Sequence, residues 1–199
     1  MSVTTHLTRQ KALMALLSVA LFLLAIGVQK AQPPDESNAF APSFKIQGSL
    51  GETIALREGN ITFSNLRVAK SIQTGDGFSK KSLTTSGLWL VVDYTFMPQR
   101  DSGYMNVSLQ TPDHTTYRTS LRGGVSGING EPGFKEMGTI PFEVRRSAAT
   151  LSGARLLVGN TGAFGVPLWD TEGIVPLGID DARAARLVRD APATLTVSE

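Results

Sequence analysis

The clearest alternation of apolar and polar positions covers Leu88–Met97, LWLVVDYTFM. One face of this segment is wholly apolar or aromatic and consists of Leu88, Leu90, Val92, Tyr94 and Phe96. The opposite face begins with Trp89 and Val91 and then becomes mixed, with Asp93 and Thr95. A segment that is apolar on most of both faces is typical of a central strand in a layered β-structure.

Shorter strand patterns recur along the chain, separated by turns rich in Gly, Pro and Asn. They cover residues 44–48, 53–57, 61–68, 105–110, 140–144 and 156–158. The alternation changes phase at Ser64-Asn65, which predicts a β-bulge. Pro141 lies inside a strand pattern, and this predicts an edge or bulged strand. Short strands at such regular spacing predict a mainly-β fold, an antiparallel β-sandwich over residues 44–158.

The last part of the chain, residues 159–199, has a different pattern. Asp180–Asp190, DDARAARLVRD, combines good helix formers with an Asp cap and a basic last turn, which suits the helix dipole. Apolar segments at Val175–Gly178 and Thr194–Val197 flank this predicted helix. We therefore expect a C-terminal extension with one short helix and a last strand.

The N-terminal segment Ala12–Val28 contains 17 residues without a charge. At about 1.5 Å per residue this helix spans roughly 25 Å, close to the lower limit for a bilayer crossing. Lys11 and Lys30 can extend the span by reaching the two interfaces. The segment predicts a signal-anchor transmembrane helix over 12–28. A cleaved signal peptide is the alternative, but its best small-residue site, Ala25-Ile26-Gly27, lies inside the apolar run.

The flanking charges predict the orientation of this anchor. Arg9 and Lys11 precede it within the short tail 1–11, whereas Lys30 alone follows it and is soon succeeded by Asp35 and Glu36. This bias places the N-terminus in the cytoplasm and the remainder outside the cell, as a single-pass protein of the cell membrane. Residues 29–43 contain three prolines and no apolar periodicity, so they predict a stalk.

Composition narrows the possible functions. The chain has 199 residues and no Cys, which excludes disulfides and cysteine-based chemistry. Its net charge is +2, but without Arg9, Lys11 and Lys30 the remaining residues 31–199 carry 16 bases and 17 acids. Because the exported part has no basic excess to attract phosphate backbones, no nucleic-acid partner is expected.

Three motifs give the chain a family resemblance. They are the strand Trp89–Tyr94, the segment Leu109–Asp113 that continues to Tyr117, and the turn Glu131–Gly133 that leads to Gly138–Val144. On these motifs, residues 48–158 resemble a bacterial family of Ig-like extracellular domains of unknown function, which includes immunoprotective-antigen-like sandwiches.

The resemblance implies an immunoglobulin-like β-sandwich carried outside the cell on a lipid anchor or a transmembrane helix. It implies no catalytic residue and no cofactor. The chain departs from the family pattern at Arg145-Arg146, where a proline often closes the strand, and in the tail after Gly159.

The sequence contains no motif that predicts a catalytic site or a metal site. The two histidines, His6 and His114, are predicted to lie on opposite sides of the membrane. Gly124–Gly127 lacks the spacing of a nucleophile elbow, and no phosphate-binding loop motif occurs. Three acids, Asp76, Asp170 and Glu172, offer oxygen ligands for calcium, but their spacing matches no EF-hand loop. No enzyme activity, cofactor or metal is therefore expected.

Binding surfaces are the remaining candidates for function. The glycine-rich stretch Leu121–Gly133 predicts either a plain connection between strands or a contact loop with apolar tips. The candidate contact residues are Gly123, Gly124, Val125, Ile128 and Gly130. Lys80-Lys81 is a solvated pair or a contact to anionic lipid or wall polymer. Trp169 packs the tail onto the sandwich or, if exposed, forms a binding hot spot.

These observations predict a non-catalytic, membrane-anchored envelope protein. The leading hypothesis is an accessory or assembly subunit that lies in the lipid bilayer and contacts another membrane or envelope protein. The alternative is an extracellular binding module for wall polymer, lipid or a small molecule.

Overall fold

The computed structural model describes residues 4–31, 44–75, 80–99, 104–119, 127–161 and 167–197. The chain divides into two compact units, Met1–Pro42 and Ser43–Glu199. The first unit contains helix α1, Thr4–Ala31. The predicted stalk lies mostly outside the described residues.

The second unit is built almost entirely from strands. Its elements in chain order are β1 Phe44–Gln47, β2 Thr53–Ala55, β3 Gly59–Thr74, β4 Lys81–Pro98, β5 Met105–Gln110, β6 Thr116–Arg118, β7 Glu136–Val144, α2 Ala148–Leu151, β8 Arg155–Thr161, β9 Pro167–Pro176, α3 Asp181–Arg189 and β10 Thr194–Thr196. This composition confirms the predicted mainly-β class.

The strands form two sheets. The first sheet has the order β1-β9-β8-β5-β6, and the second has the order β10-β3-β4-β7 with β2 also paired to β3. The prediction of an antiparallel sandwich is wrong at two edges, because β1 pairs with β9 in parallel and β10 pairs with β3 in parallel. Parallel neighbours need long connections, and both pairs join segments that are far apart in the sequence.

The sandwich core lies between the sheets and contains the apolar face predicted for β4. Leu88, Leu90, Val92 and Phe96 are fully buried there, facing Leu156 and other residues of the first sheet. β4 is a central strand with β3 and β7 as neighbours, as the sequence predicts. Fully burying an aliphatic or aromatic side chain stabilises the fold by about 1.5–3 kcal/mol.

Two local irregularities also agree with the sequence. The β3–β4 register shifts between Ser64 and Arg67, where Asn65 adopts a left-handed φ of 48°, so the predicted bulge is confirmed. Pro141 lies in β7, the last strand of the second sheet. An edge position accommodates proline because its nitrogen has no hydrogen to donate to a neighbouring strand.

The segment after residue 158 is part of the sandwich itself and differs from the predicted appended tail. β9 pairs with both β8 and β1 in the first sheet, and β10 pairs with β3 in the second. α3 forms as the sequence predicts, with the Asp180 side chain accepting a hydrogen bond from the Arg183 backbone nitrogen at 2.6 Å. Ala184 of this helix is fully buried in the core.

A second, smaller apolar cluster lies outside the main core. Its buried members are Ile72, Trp89, Val91 and Val197, and Leu83 and Leu195 pack against them. We call this group the outer cluster. The cluster lies on the face of β4 opposite the core, at the end of that face that carries Trp89 and Val91. Leu195 of β10 belongs to it.

Helix α1 presents apolar side chains to solvent on all sides. Between residues 11 and 24 every described side chain is exposed, including Leu16, Phe22 and Leu24. Among the residues that the structure describes, no helix combines the length and apolarity needed to cross a membrane.

Candidate functional site

The candidate site lies at an interruption along one edge of β3. β2 pairs with residues 60–62 of this strand, and β10 pairs with residues 71–73. Between these two stretches, the described part of the chain provides no strand neighbour on that side. The interruption includes the bulge at Asn65 and Leu66, and Arg67 and Val68 follow this bulge.

A cavity of about 510 Å³ opens beside this interruption. We call it the arginine cavity; its wall is formed by Arg67, Val68, Arg183, Arg186, Leu187, Asp190, Pro192 and Leu195. The wall therefore joins β3, α3 and the C-terminal segment around β10. Its volume lies within the range of small-molecule sites, about 300–1,000 Å³.

Arg67 is held in position by an acidic partner on the neighbouring strand. Its Nη2 donates to Asp93 Oδ1, and this carboxylate also accepts hydrogen bonds from Asn65 Nδ2 and Thr139 Oγ1, both at 3.1 Å. The Nε atom of Arg67 is buried and has no hydrogen-bond partner among the described residues. Such a buried donor is uncommon in folded proteins and is costly to leave without an acceptor.

Helix α3 supplies two further guanidinium groups. Arg183 and Arg186 are three residues apart, so their side chains are neighbours on one helix face. Arg183 Nη1 donates to the carbonyl oxygen of Gly178 at 3.1 Å, which orients this side chain. Neither arginine forms an ion pair with a carboxylate in the described part of the chain.

The single acidic residue in the wall, Asp190, is already neutralised. Its carboxylate accepts two hydrogen bonds from Arg189, from Nε and Nη2, each at 2.9 Å. These bonds hold the pKa of Asp190 below its ordinary value, and the charge of Arg186 adds to the same effect. Asp190 therefore does not cancel the positive charge that Arg183 and Arg186 bring to the cavity.

The arrangement suits recognition of an anion that also has an apolar part. Two arginines without carboxylate partners among the described residues line one cavity together with Val68, Leu187 and Leu195. Guanidinium groups bind carboxylate and phosphate oxygens through paired hydrogen bonds. The apolar side chains can cover the remainder of such a molecule.

The predicted contact loop is described only in part. Gly123, Gly124 and Val125 lie outside the described residues. Ile128 is fully buried and exchanges two backbone hydrogen bonds with Met105, so its side chain belongs to the core and is not available to a partner. Gly130 is packed closely, since a Cβ atom there would lie 2.8 Å from Glu136 Cγ.

The other predicted contact residues are spread over the molecule. Trp169 lies in β9, but its side chain is outside the described part of the structure. Lys80 and Lys81 are exposed where β4 begins. His114 is exposed in a turn with a left-handed φ of 62°. The structure brings none of these described residues into the arginine cavity.

The acidic residues considered for calcium do not form a described site. Asp76 and the side chain of Asp170 lie outside the described residues. Glu172 is partly buried opposite Lys45 in the β1–β9 pair, and burial raises the pKa of its carboxyl group. Among the described residues, no group of three or more His, Asp or Glu side chains is placed to hold a metal ion.

Sequence reasoning did not identify the arginine cavity. The basic residues of α3 were explained by the helix dipole, which favours Arg186 and Arg189 near the C-terminal end. Arg183 lies in the first turn, where the dipole disfavours a cation, and this position was the available signal. No pattern in the sequence connects Arg67 to α3.

No protein-family model matches the chain, and no curated protein matches it. Among solved structures, the chain is similar to the yjhA protein from Bacillus subtilis, with 15% identity over 65% of this chain and 98% of that chain and a TM-score of 0.44. It is also similar to an uncharacterized β-sandwich protein from Clostridium difficile 630, with 11% identity over 73% of this chain and 99% of that chain and a TM-score of 0.39. The β-sandwich architecture is established by the strand pairing of this chain.

Proposed function

We propose that this chain is a membrane-anchored, non-catalytic binding module whose β-sandwich holds a ligand in the arginine cavity. The observation that carries the proposal is the cavity itself, in which arginines from two separate segments, β3 and α3, line the same space as apolar side chains. A pocket of this size with a few convergent polar groups is the usual form of a ligand site. The proposal corresponds to the alternative predicted from the sequence, an extracellular binding module for wall polymer, lipid or a small molecule.

The anchor in this proposal is the segment Ala12–Val28. The described side chains in it are exposed and, apart from Ser18, apolar, with Leu13, Leu17 and Leu21 each at least 58% exposed. A helix that is apolar on all sides needs an apolar environment, either a protein core or a bilayer. The flanking bases favour a cytoplasmic N-terminus and an extracellular sandwich.

Membrane fractionation tests the anchor. We expect the full chain to stay in the membrane pellet after alkaline carbonate extraction and to keep its N-terminal residues when the mature protein is sequenced. A mature N-terminus near Ala25-Ile26-Gly27 would instead establish the signal-peptide alternative. An external protease should digest the sandwich in intact cells if the proposed orientation is right.

Thermal unfolding tests the binding function. We expect envelope extracts to raise the melting temperature of the detergent-solubilised full chain and to raise it much less for the Arg183→Gln/Arg186→Gln variant. Arg118→Gln is the matched control, because Arg118 is an exposed arginine in β6 of the other sheet. Equal stabilisation of all three proteins by the extracts would contradict ligand binding in the cavity.

A second candidate function, the accessory subunit, is favoured by an exposed apolar group near the start of β7. Phe134 is 65% exposed and Met137 67%, and Met97 lies on β4, the strand paired with β7. Exposed aromatic and methionine side chains are enriched in protein interfaces. An immunoglobulin-like extracellular domain, as the sequence resemblance implies, is compatible with either function.

Crosslinking in intact cells, followed by detergent extraction and mass spectrometry, tests the accessory-subunit candidate. A stoichiometric membrane protein should be recovered with the wild-type chain and lost with Phe134→Ser/Met137→Ser. Recovery of the chain without such a protein, from fully solubilised membranes, would contradict this candidate and favour the binding module.

A further inference from the structure

We propose that the ligand of the arginine cavity is a phosphate monoester with an apolar body, its phosphate held by Arg183 and Arg186. This inference rests on the proposed binding function and specifies the ligand class for the same site. It starts from the charges of the wall, because three arginines and one aspartate line the cavity.

Only part of this positive charge is balanced by the protein. Asp93 forms an ion pair with Arg67, and Arg189 neutralises Asp190. Arg183 and Arg186 therefore bring two positive charges that no carboxylate of the described residues pairs with. Like charges three residues apart on a helix destabilise it, and a ligand of opposite charge between them removes this repulsion.

The amount of charge favours phosphate over carboxylate. A phosphate monoester carries about −1.5 to −2 at neutral pH, which matches two guanidinium groups, whereas a carboxylate carries a single charge. Its oxygen atoms can also accept paired hydrogen bonds from two arginines at once. Arg67 lies in the same wall, and its Nε is buried without a partner among the described residues, but its charge is balanced by Asp93.

The rest of the wall explains why the ligand needs an apolar body. Val68, Leu187, Pro192 and Leu195 form half of the wall residues, and Leu187 and Leu195 are only partly buried. A free phosphate ion would leave these side chains in water. A short alkyl or aromatic group attached to the phosphate would cover them and gain hydrophobic free energy in proportion to the area removed from water.

The test uses the full chain in phosphatidylcholine nanodiscs. Titration calorimetry measures its affinity for hexyl phosphate, and thermal unfolding measures how far hexyl phosphate raises its melting temperature. We expect hexyl phosphate to bind and stabilise the protein, while hexanol and inorganic phosphate each bind at least about tenfold more weakly. Hexanoate should also bind more weakly than hexyl phosphate. If hexanol matches hexyl phosphate, the role of the phosphate group is refuted.

Variants locate the binding. Arg183→Gln and Arg186→Gln should each weaken hexyl phosphate about tenfold or more, since a hydrogen bond to a charged group is lost. Arg118→Gln should bind as the wild type does. The melting temperature of each variant without ligand reports whether it folds. Arg183→Lys keeps the positive charge but loses the planar guanidinium group, so we expect it to bind hexyl phosphate with intermediate affinity. Unchanged affinity in both Gln variants would overturn the assignment.

The phosphate could belong to a lipid headgroup or to a soluble ester, and two arms separate these sources. Nanodiscs that contain phosphatidic acid should stabilise the wild type but not the Gln variants if the source is lipid. Stabilisation by hexyl phosphate alone indicates a soluble ester. If neither stabilises the protein while envelope extracts still do so through Arg183 and Arg186, the ligand class is wrong and the binding module stands. If the extracts fail as well, both proposals fail.

Discussion

The upper and lower halves of one β4 face have the same alternation in sequence but opposite environments. In the upper half, Trp89 and Val91 are fully buried in the outer cluster. In the lower half, Thr95 is partly exposed and Met97 is 43% exposed. These residues share a face, because alternate side chains of a strand point the same way. The difference shows that periodicity identifies a face but does not determine what covers it.

The cover of the upper half comes partly from the C-terminal segment and partly from the β3–β4 hairpin itself. β10 and the residue after it bring Leu195 and Val197 to Trp89, and the far end of the β3–β4 hairpin brings Ile72 and Leu83. Trp89 Nε1 donates to the carbonyl oxygen of Leu83 at 3.1 Å, so the polar atom of this buried side chain is satisfied.

A polar network separates the halves. Asp93, between Val91 and Thr95, accepts hydrogen bonds from Arg67, Asn65 and Thr139. The arginine cavity opens beside this boundary, at the limit of the pairing between β10 and β3, and it is lined by residues of β3, α3 and the C-terminal segment. The cavity therefore exists because the cover of the sheet is incomplete.

Truncating one large side chain in each half tests the comparison most strongly. Trp89→Ala should lower the free energy of unfolding by about 3–5 kcal/mol, because it empties a buried site and removes the hydrogen bond to Leu83. Met97→Ala should cost clearly less, about 1 kcal/mol or below, since 43% of Met97 is exposed and no buried site is emptied. Urea unfolding of the two variants measures both values, and similar losses would refute the difference between the halves.

A smaller effect is expected at the C-terminal strand. Val197→Ala should cost about 1.5 kcal/mol, at about 0.8 kcal/mol for each buried carbon removed. Thr196→Ala, at the exposed neighbouring position of β10, is the control and should be nearly neutral. If Val197→Ala is also neutral in urea unfolding, the C-terminal strand does not stabilise the upper half.

Hydrogen bonds between β3 and the C-terminal segment should contribute less still. The Ser71 hydroxyl donates to the carbonyl oxygen of Ala193 at 2.7 Å and lies 2.8 Å from Thr194 Oγ1. We expect Ser71→Ala to lower stability by about 1 kcal/mol. Hydrogen exchange should also show faster exchange of the Val197 amide, which donates to Gln73. Ser82→Ala, at an exposed serine of β4, should leave both measurements unchanged.

The smallest effect on stability is expected at Tyr94. This residue lies on the core face of β4, opposite the face that carries Thr95 and Met97. Burial raises the pKa of the Tyr94 hydroxyl, and the nearby charge of Glu136 raises it further. The unfolded chain therefore ionises first as the pH rises above about 10, and stability falls in that range. Tyr94→Phe should reduce this alkaline fall in melting temperature, whereas Thr95→Ala on the opposite face should keep it. An unchanged profile in Tyr94→Phe would show that Tyr94 is not enclosed.

Local features of the fold were predictable because their causes lie within a few residues. The alternation of Leu88–Met97, the phase change at Ser64-Asn65 and the capped helix after Asp180 each appear in the structure where the sequence places them. Strand and helix periodicities and capping hydrogen bonds are local, so a single sequence displays them.

The candidate site was not predictable in this way. The composition of the glycine-rich stretch predicts a contact loop as one alternative, yet Ile128 packs in the core, where its backbone pairs with Met105 of β5. Arg67 and Arg183 are more than a hundred positions apart and line one cavity only because the fold brings residues of β3 and α3 to it. No local feature of the sequence indicates that these two arginines line the same cavity.

The amino-acid pattern alone established the mainly-β class, the central position of β4, the bulge, the terminal helix α3 and the apolar character of Ala12–Val28. Tertiary structure decided the two parallel edge pairings, the inclusion of β9 and β10 in the sandwich, the cover over Trp89 and the convergence of three arginines on one cavity. The physical reason is the range of the interactions. Backbone geometry and capping act between near neighbours, whereas burial and charge depend on which distant segments pack together.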